Sequence, residues 1–297
     1  MNEGIDKRGL AVVRSSDGGV VVWTRPETAA AAAALRLLDG VALAQLEGAQ
    51  ATTLFGRGAP LRLPFAGRSA LAKELRRGGL AGRWRGDSFA GPRRLEELLD
   101  VQLALEAAGV AVAPFAFARA RRTPSGFRLE FATFELHEAR DAAALLPTVA
   151  DSDERRALQS AAGAVVASLH RAGCRHADLN AKNVLLARAP PRAWLIDFDR
   201  SRVESAPIEA TAAAANLARL LRSAEKLALL APAGALAPRD LAAFVRAYVA
   251  ARGGGWRRAK LWRAVAALHR RSIGWHRLGW RLFGRGKAAD ARAATKG

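Results

Sequence analysis

The spacing of apolar and polar positions divides this chain into a sheet-rich first half and a helical second half. Residues 10–23 predict two short strands around a polar turn, and residues 51–79 predict strands separated by glycines, as in an antiparallel meander. Residues 92–108 predict a helix, because a proline begins the segment and a glycine follows it. Two more strands are expected between residues 109 and 135, joined by a turn at 124–126.

Two further helices are predicted, one on each side of the joint between the halves. Residues 26–47 begin with a proline and run through alanines and leucines, which favours a helix broken near Gly40. Residues 151–173 carry acidic residues in the first turn and apolar residues three or four positions apart. This change from strand-like to helical patterning predicts an α+β fold with two lobes, residues 1–135 and residues 136–297.

One polar string interrupts the apolar second half. Residues 176–186 read HADLNAKNVLL, and a short turn separates them from a second apolar run that ends in LIDFD at 195–199. If the two apolar runs pair as a hairpin, Asp178, Asn183 and Asp197 come together around one cavity. Two carboxylates and an amide oxygen suit Mg²⁺, which needs few protein ligands when substrate phosphates supply the rest.

The spacing D-x-x-x-x-N followed by D-F-x is that of the catalytic and metal-binding loops of protein kinases. In that scheme Asp178 accepts the proton of the acceptor hydroxyl, Asn183 and Asp197 hold the metal, and His176 braces the loop. The motif therefore predicts a bilobal, protein-kinase-like fold that uses ATP and Mg²⁺.

A simpler interpretation assigns these polar residues to the ends of secondary structure. Asp178 and Asn180 would cap a helix, and Asp197 and Asp199 would end a strand. Caps alone do not explain why polar groups recur at both ends of one apolar hairpin.

Phosphoryl transfer also needs a cation near the nucleotide phosphates. Lys73, within the last strand of the meander, is the candidate, with an ordinary surface lysine on an edge strand as the alternative. An acidic residue of the helix at 92–108 is expected to hold it, either Glu97 or its neighbour Glu96.

The remaining nucleotide contacts are expected before and after that strand. Residues 55–58, FGRG, would cover the phosphates through backbone N–H groups that Gly56 and Gly58 leave accessible, although an ordinary tight turn explains them equally well. Glu135, at the joint between the lobes, is included among the nucleotide-binding residues.

The charge of the chain restricts the class of partner. Lys and Arg number 47 against 27 Asp and Glu, a net charge of +20 that attracts polyanions such as nucleic acid, anionic lipid or phosphorylated ligands. The single cysteine, Cys174, excludes an internal disulfide and a cysteine-based zinc site. With neither a secretion signal nor a spanning segment evident, a cytoplasmic protein is expected.

The assembled motifs resemble those of the 3-deoxy-D-manno-octulosonic acid (Kdo) kinases, a branch of the lipopolysaccharide kinases of Gram-negative bacteria. The segments that carry the resemblance are FGRG (55–58), AKELRRGGL (72–80), GVAVAP (109–114), FELHEARD (134–141), HADLNAKNVLL (176–186), WLIDFDRSR (194–202) and NLARLLRSAEK (216–226). The resemblance implies ATP as the donor and the Kdo sugar of the lipid A inner core as the acceptor. It implies the same roles for Asp178, Asn183 and Asp197, and a phosphate-binding role for Lys73.

The composition of the C-terminal segment is typical of a protein that works at a membrane surface, where a glycolipid acceptor would lie. Residues 253–286 contain most of the seven tryptophans together with many arginines, a composition typical of helices that lie in the bilayer interface. A nucleic-acid backbone would attract the same composition, and a basic helix packed on the helical lobe would also explain it. With the resemblance, peripheral contact with the anionic cytoplasmic face of the inner membrane is favoured, and nucleic acid is not expected as a partner.

The sequence thus predicts an ATP-dependent kinase of lipopolysaccharide biosynthesis that acts on Kdo-lipid A or a related glycolipid. The alternatives are a kinase of another small molecule or a protein on the same fold, and a non-catalytic, basic, lipid- or nucleic-acid-binding pseudokinase.

Overall fold

The structure, a computed structural model, describes residues 2–52, 59–77, 87–230, 238–253 and 259–270. The chain divides into two compact units. The N-terminal unit comprises Met1–Ala107 and Ala113–His137, and the C-terminal unit comprises Ala108–Val112 and Glu138–Gly297. The main passage between units, at His137 and Glu138, lies close to the predicted lobe boundary at 135 and 136.

An eight-stranded antiparallel sheet dominates the N-terminal unit. Its strands are β1 (Asn2–Ile5), β2 (Ala11–Arg14), β3 (Val20–Thr24), β4 (Gln50–Ala51), β5 (Leu61–Phe65), β6 (Arg68–Glu74), β7 (Phe115–Thr123) and β8 (Gly126–Phe134). They lie in the order β1-β2-β3-β7-β8-β6-β5-β4. The strand pairs predicted within residues 10–23 and between residues 109 and 135 are confirmed as β2–β3 and β7–β8. Because β6 lies between β5 and β8, Lys73 is not on an edge strand.

One long helix supports this sheet. Helix α2 (Arg93–Ala107) packs on β7 and β8 and buries one apolar face. The helix predicted at residues 92–108 is therefore confirmed. Its buried side chains are Leu95, Leu98, Leu99, Val101, Gln102 and Leu105.

The helix predicted over residues 26–47 is wrong in extent, because α1 covers only Ala29–Ala34. Arg36 adopts a left-handed conformation with φ of 58°, and the N–H of Leu37 donates to the carbonyl of Ala32 at 3.2 Å. This pattern is that of a Schellman motif, which ends a helix. Leu37 is fully buried, so the chain leaves the helix in order to place that side chain in the core.

A buried arginine fixes the segment that follows α1. Arg119, on β7, is fully buried and forms an ion pair with Glu130 on β8. Its guanidinium also donates to the carbonyl oxygens of Leu37 at 3.2 Å and Val41 at 3.0 Å. These carbonyls have left the helical hydrogen-bond pattern, so Arg119 satisfies acceptors that would otherwise be buried without a donor. A local sequence pattern cannot reveal this long-range support.

Helices dominate the C-terminal unit. They are α3 (Ala142–Leu145), α4 (Ser152–Arg171), α5 (Ala210–Leu230), α6 (Pro238–Arg252) and α7 (259–270). The short strands are β9 (Arg140–Asp141), β10 (Cys174–Arg175), β11 (Val184–Ala187), β12 (Arg192–Leu195) and β13 (Arg202–Val203). The predicted helix at 151–173 is confirmed, and the carboxylate of Asp151 caps α4 by accepting from the N–H groups of Asp153 and Glu154.

Helix α7 packs on the C-terminal unit through one face. Leu261 and Val265 are buried, and Nε2 of His269 lies 2.8 Å from Oε1 of Glu225 on α5. The rest of the tryptophan-rich segment, residues 254–258 and 271–286, lies outside the described residues. Within the ranges that the structure describes, no helix combines the length and apolar character needed to cross a membrane.

Gly163 allows α4 and α6 to pack closely. A Cβ atom at this position would lie 2.3 Å from the carbonyl oxygen of Phe244 and 3.1 Å from the backbone nitrogen of Tyr248. We therefore expect Gly163→Ala to lower the free energy of unfolding by about 1–3 kcal/mol, because the two helices must separate. The urea midpoint measures this loss. Gly91→Ala is the control, since nothing lies within 4 Å of its Cβ position, and equal midpoints for the two variants would contradict the prediction.

Candidate active site

The hairpin of β11 and β12 brings the two polar motifs to one end of the same strand pair. Val184 pairs with Leu195 at that end, and the N–H of Ile196 donates to the carbonyl of Asn183 at 3.1 Å. The predicted hairpin is therefore present. Asn183 immediately precedes β11 and Asp197 follows shortly after β12, so the backbone holds both residues at one end of the hairpin.

Asn183 also fixes the loop that carries Asp178. Its Nδ2 donates to the backbone carbonyl of Asp178 at 2.9 Å, and the side chain is buried. The carboxylate of Asp178 is 62% exposed and accepts a hydrogen bond from Nδ2 of Asn180 at 3.0 Å. Asn180 caps the short 3-10 turn Ala181–Asn183 through the N–H of Lys182. Asn180 thus has the capping role of the simpler interpretation, while the carboxylate of Asp178 is presented to solvent.

His176 connects the Asp178 loop to the segment that carries Asp197. Its Nδ1 accepts from the N–H of Asp178 at 3.1 Å, and its Nε2 lies 3.1 Å from the carbonyl of Ile196. Since Nδ1 accepts, the proton is on Nε2, which donates to that carbonyl. The ring is buried and packs 5.1 Å from the ring of Phe198. His176 therefore braces both motifs.

The backbone around Asp197 has an unusual conformation. Asp197 has φ of 66° and Arg200 has φ of 63°, both in the left-handed region. Aspartate tolerates this region better than most residues because its short polar side chain can bond locally. The N–H of Ser201 donates to the carbonyl of Phe198 at 2.9 Å and closes a turn around Arg200. Asp197 is exposed, two residues after the end of β12.

The donors at the hairpin end fit Mg²⁺ by their chemistry. Nδ2 of Asn183 is used for the bond to Asp178, which leaves Oδ1 as the available acceptor of that amide. Asp197 adds a carboxylate, and Mg²⁺ is commonly bound through one or two protein oxygens together with substrate phosphates. In the part of the chain that the structure describes, no three His, Cys, Asp or Glu residues gather as a metal cluster.

Helix α5 supplies contacts that sequence reasoning did not identify. Oδ1 of Asn216 accepts from the N–H of His176 at 3.2 Å, and its Nδ2 donates to the carbonyl of the same residue at 3.0 Å. Two turns along, Oγ of Ser223 accepts from the N–H of Ala181 at 3.1 Å. Between these two, Nη1 of Arg219 lies 3.2 Å from Oδ1 of Asp178. The sequence signals were polar residues at helical spacing within an apolar helix and the place of residues 216–226 among the segments that carry the family resemblance.

A buried histidine orients Asn216. Nδ1 of His170 lies 2.8 Å from the hydroxyl of Tyr248, and its Nε2 lies 3.3 Å from Oδ1 of Asn216. Burial lowers the pKa of His170 to about 3, so the ring stays neutral at physiological pH. With the Asn216 oxygen accepting, the His170 proton is on Nε2 and the Tyr248 hydroxyl donates to Nδ1. This network links α4, α5 and α6 to the Asp178 loop.

Lys73 lies in the N-terminal unit, half-buried on β6. It lines a pocket of about 290 Å³ together with Glu74, Arg121 and Glu130. The carboxylate of Glu97 is 62% exposed and forms an ion pair with Arg93, one turn earlier on α2, at 2.9 Å. The assignment of Glu97 as the partner of Lys73 stays a prediction.

The other predicted nucleotide contacts have different outcomes. Glu135 forms a bidentate ion pair with Arg62 on β5, at 2.8 and 2.5 Å, and this neighbour lowers the pKa of its carboxyl. Its backbone N–H donates to the carbonyl of Ser69 at 2.8 Å. Gly56 and Gly58 lie outside the described residues. The roles of all three residues toward a nucleotide stay predictions.

Comparisons with known proteins identify the family of this chain. The sequence model of "Lipopolysaccharide kinase (Kdo/WaaP) family" matches residues 61–248, more than half of the chain. A 3-deoxy-D-manno-octulosonic acid kinase of Xylella fastidiosa (strain 9a5c) is 31% identical over 185 residues, which cover 60% of this chain and 71% of that protein. A protein of the same name from Xanthomonas campestris pv. campestris (strain B100) is 38% identical over 176 residues, covering 55% and 64%.

A solved structure supports the fold. The structure of WaaP in complex with acyl carrier protein covers 80% of this chain and 90% of its own, with a TM-score of 0.51 and 23% identity. At this identity the likeness concerns the fold alone, which is α+β and protein-kinase-like, as the motifs predicted. The chain therefore belongs to the lipopolysaccharide kinase (Kdo/WaaP) family, and it is an ATP-dependent phosphotransferase.

Proposed function

We propose that this chain transfers the γ-phosphate of ATP to a hydroxyl of the Kdo sugar in the lipid A inner core. The observation that carries the proposal is the exposed carboxylate of Asp178 on a loop that Asn183 joins to the segment of Asp197. Family membership supports the transfer of phosphate, and the names of the curated relatives support Kdo as the acceptor.

In the proposed mechanism, Asp178 positions the acceptor hydroxyl and accepts its proton as the bond to phosphorus forms. Its exposure leaves room for the substrate, and the His176 brace fixes the backbone beneath it. Oδ1 of Asn183 and the carboxylate of Asp197 would hold Mg²⁺. When bound, the ion neutralises charge on the β- and γ-phosphates.

The N-terminal unit supplies the nucleotide contacts of the proposal. Lys73 binds the phosphates, and Glu97 is its proposed acidic partner. The backbone at Gly56 and Gly58 covers the phosphates, and Glu135 contributes to nucleotide binding near the joint between the units. A lysine in this role acts as a point charge that reduces repulsion between the phosphates and the attacking oxygen.

A glycolipid acceptor also requires access to a membrane surface, and we propose peripheral contact with the cytoplasmic face of the inner membrane. The face of α7 opposite its buried residues exposes Lys260, Arg263 and Arg270. Basic side chains near an anionic bilayer each contribute about 1 kcal/mol of attraction. Anionic lipid, rather than nucleic acid, is the polyanion that this proposal assigns to the net positive charge.

The proposal is tested by incubating the full chain with labelled ATP, Mg²⁺ and a panel of acceptors. The panel contains Kdo-lipid A, lipid A without Kdo, an aminoglycoside and a peptide. We expect label on Kdo-lipid A alone. Label on lipid A without Kdo would remove the acceptor assignment, label on the aminoglycoside or peptide would favour the other kinase functions, and no label on any acceptor would favour a non-catalytic binding protein.

A further inference from the structure

Helix α5 presents three polar side chains to the Asp178 loop, and one differs from the others. Asn216 and Ser223 bond backbone groups and therefore support the loop itself. Arg219, between them on the same helix face, contacts the carboxylate of Asp178 instead. Its side chain is 47% exposed, so a molecule in solution can reach its guanidinium group.

The proposed reaction brings several negative charges together near Asp178, so a cation beside that carboxylate would stabilise the bound acceptor. The acceptor hydroxyl must lie within about 3 Å of the Asp178 carboxylate, beside Asp197 and the nucleotide phosphates. A sugar that carries its own carboxylate is repelled by all of these anions unless a fixed positive charge faces it. A guanidinium has five N–H donors in a planar fork, so Arg219 can keep Nη1 on Asp178 and offer other N–H groups to a second carboxylate.

We propose that Arg219 binds the carboxylate of the acidic acceptor sugar while the sugar's hydroxyl contacts Asp178. This inference rests on the proposed function, since it names the residue that recognises the acid group of that acceptor. Arg219 would thereby set specificity for acidic over neutral sugars, and it would position the hydroxyl because both groups belong to one sugar.

A second arginine strengthens the positive field on this helix face. Arg222, one turn further along α5, has its pKa lowered first by burial and then by the charge of Arg219. The charges of the two guanidinium groups add to one positive field, which attracts an acidic acceptor to this helix face.

The inference is tested with two acceptors, Kdo-lipid A and the same compound with the Kdo carboxylate converted to a carboxamide. For the wild-type chain we expect the acceptor KM to be about 10- to 100-fold higher for the carboxamide than for the acid. This is the loss of affinity expected when a charge-assisted hydrogen bond is removed. Arg219→Gln should raise the KM for the acid by a similar factor, with no further rise for the carboxamide. Arg219→Lys keeps the positive charge but loses the planar set of N–H donors. Its KM for the acid should lie between those of the wild-type chain and Arg219→Gln.

The controls separate this inference from the proposed function. Arg192→Gln removes an exposed charge at the end of the β11–β12 hairpin that lies away from Asn183, and it should leave both acceptor KM values unchanged. None of the variants should change the KM for ATP. Equal discrimination between acid and carboxamide by wild type and Arg219→Gln would overturn the inference alone. If the wild-type chain phosphorylates neither acceptor, the proposed function fails and the inference fails with it.

Discussion

Replacing Asp178 with asparagine should lower kcat for phosphate transfer by a factor of about 10² to 10⁴, the range that a positioned general base contributes. Asparagine keeps the size and shape of the side chain but cannot take the proton of the attacking hydroxyl. Nδ2 of Asn183 and Nδ1 of His176 bond only the backbone of Asp178, so both contacts survive the substitution. The loss should therefore appear in kcat, measured as ADP release at saturating ATP and acceptor.

Stability should change little in this variant. The carboxylate of Asp178 is 62% exposed and its ion pair with Arg219 is exposed too, and such pairs contribute at most about 1 kcal/mol. The matched control is Asp153→Asn, which removes an exposed carboxylate from the first turn of α4 in the same unit. The control should keep wild-type kcat. Wild-type turnover by Asp178→Asn, with an unchanged melting temperature, would exclude Asp178 as the base.

The local sequence pattern was sufficient to predict elements that are defined by their own apolar periodicity and by proline or glycine residues at their ends. Helix α2 is bounded by a proline and a glycine, and its apolar residues repeat at helical spacing on one face. The hairpin of β11 and β12 also follows from local sequence, since two apolar runs flank a turn that contains two prolines. That hairpin is what makes the two distant polar motifs neighbours.

The segment that follows α1 shows where local pattern fails. Alanine and leucine favour a helix through residues 26–47, yet the chain leaves it at Arg36 so that Leu37 enters the core. The carbonyls released there are satisfied by Arg119, far along the sequence. Helix propensity is worth only tenths of a kcal/mol per residue, and burial of one leucine exceeds it.

Contacts across elements also limited prediction of the active site. The sequence identified Asp178, Asn183 and Asp197 because their spacing belongs to one motif. Arg219 and Asn216 belong to a helix that begins well after the motif, and only the packing of α5 against the loop reveals their partners. Their helical spacing was visible in the sequence, but nothing in it identified what their helix face contacts.

The second large effect is expected at Asp197. Asp197→Asn should lower kcat by a factor on the order of 10² to 10³ and raise the Mg²⁺ concentration needed for half-maximal activity at least about tenfold, because the proposed site loses its carboxylate. Asparagine is chosen because it tolerates the left-handed conformation, with φ of 66°, as aspartate does. An alanine at the same position would add backbone strain and mix the two effects.

Asp199→Asn is the matched control, because Asp199 lies two residues after Asp197 and is not one of the proposed Mg²⁺ ligands. It should keep the wild-type Mg²⁺ dependence of kcat. An independent measurement is the rise in melting temperature on adding ADP with Mg²⁺, which Asp197→Asn should reduce and Asp199→Asn should retain. The opposite result would transfer the metal role to Asp199. Both substitutions remove one negative charge from the same turn, so they change the net charge near the proposed site equally. A difference in Mg²⁺ dependence between the two variants therefore identifies which carboxylate contacts the ion.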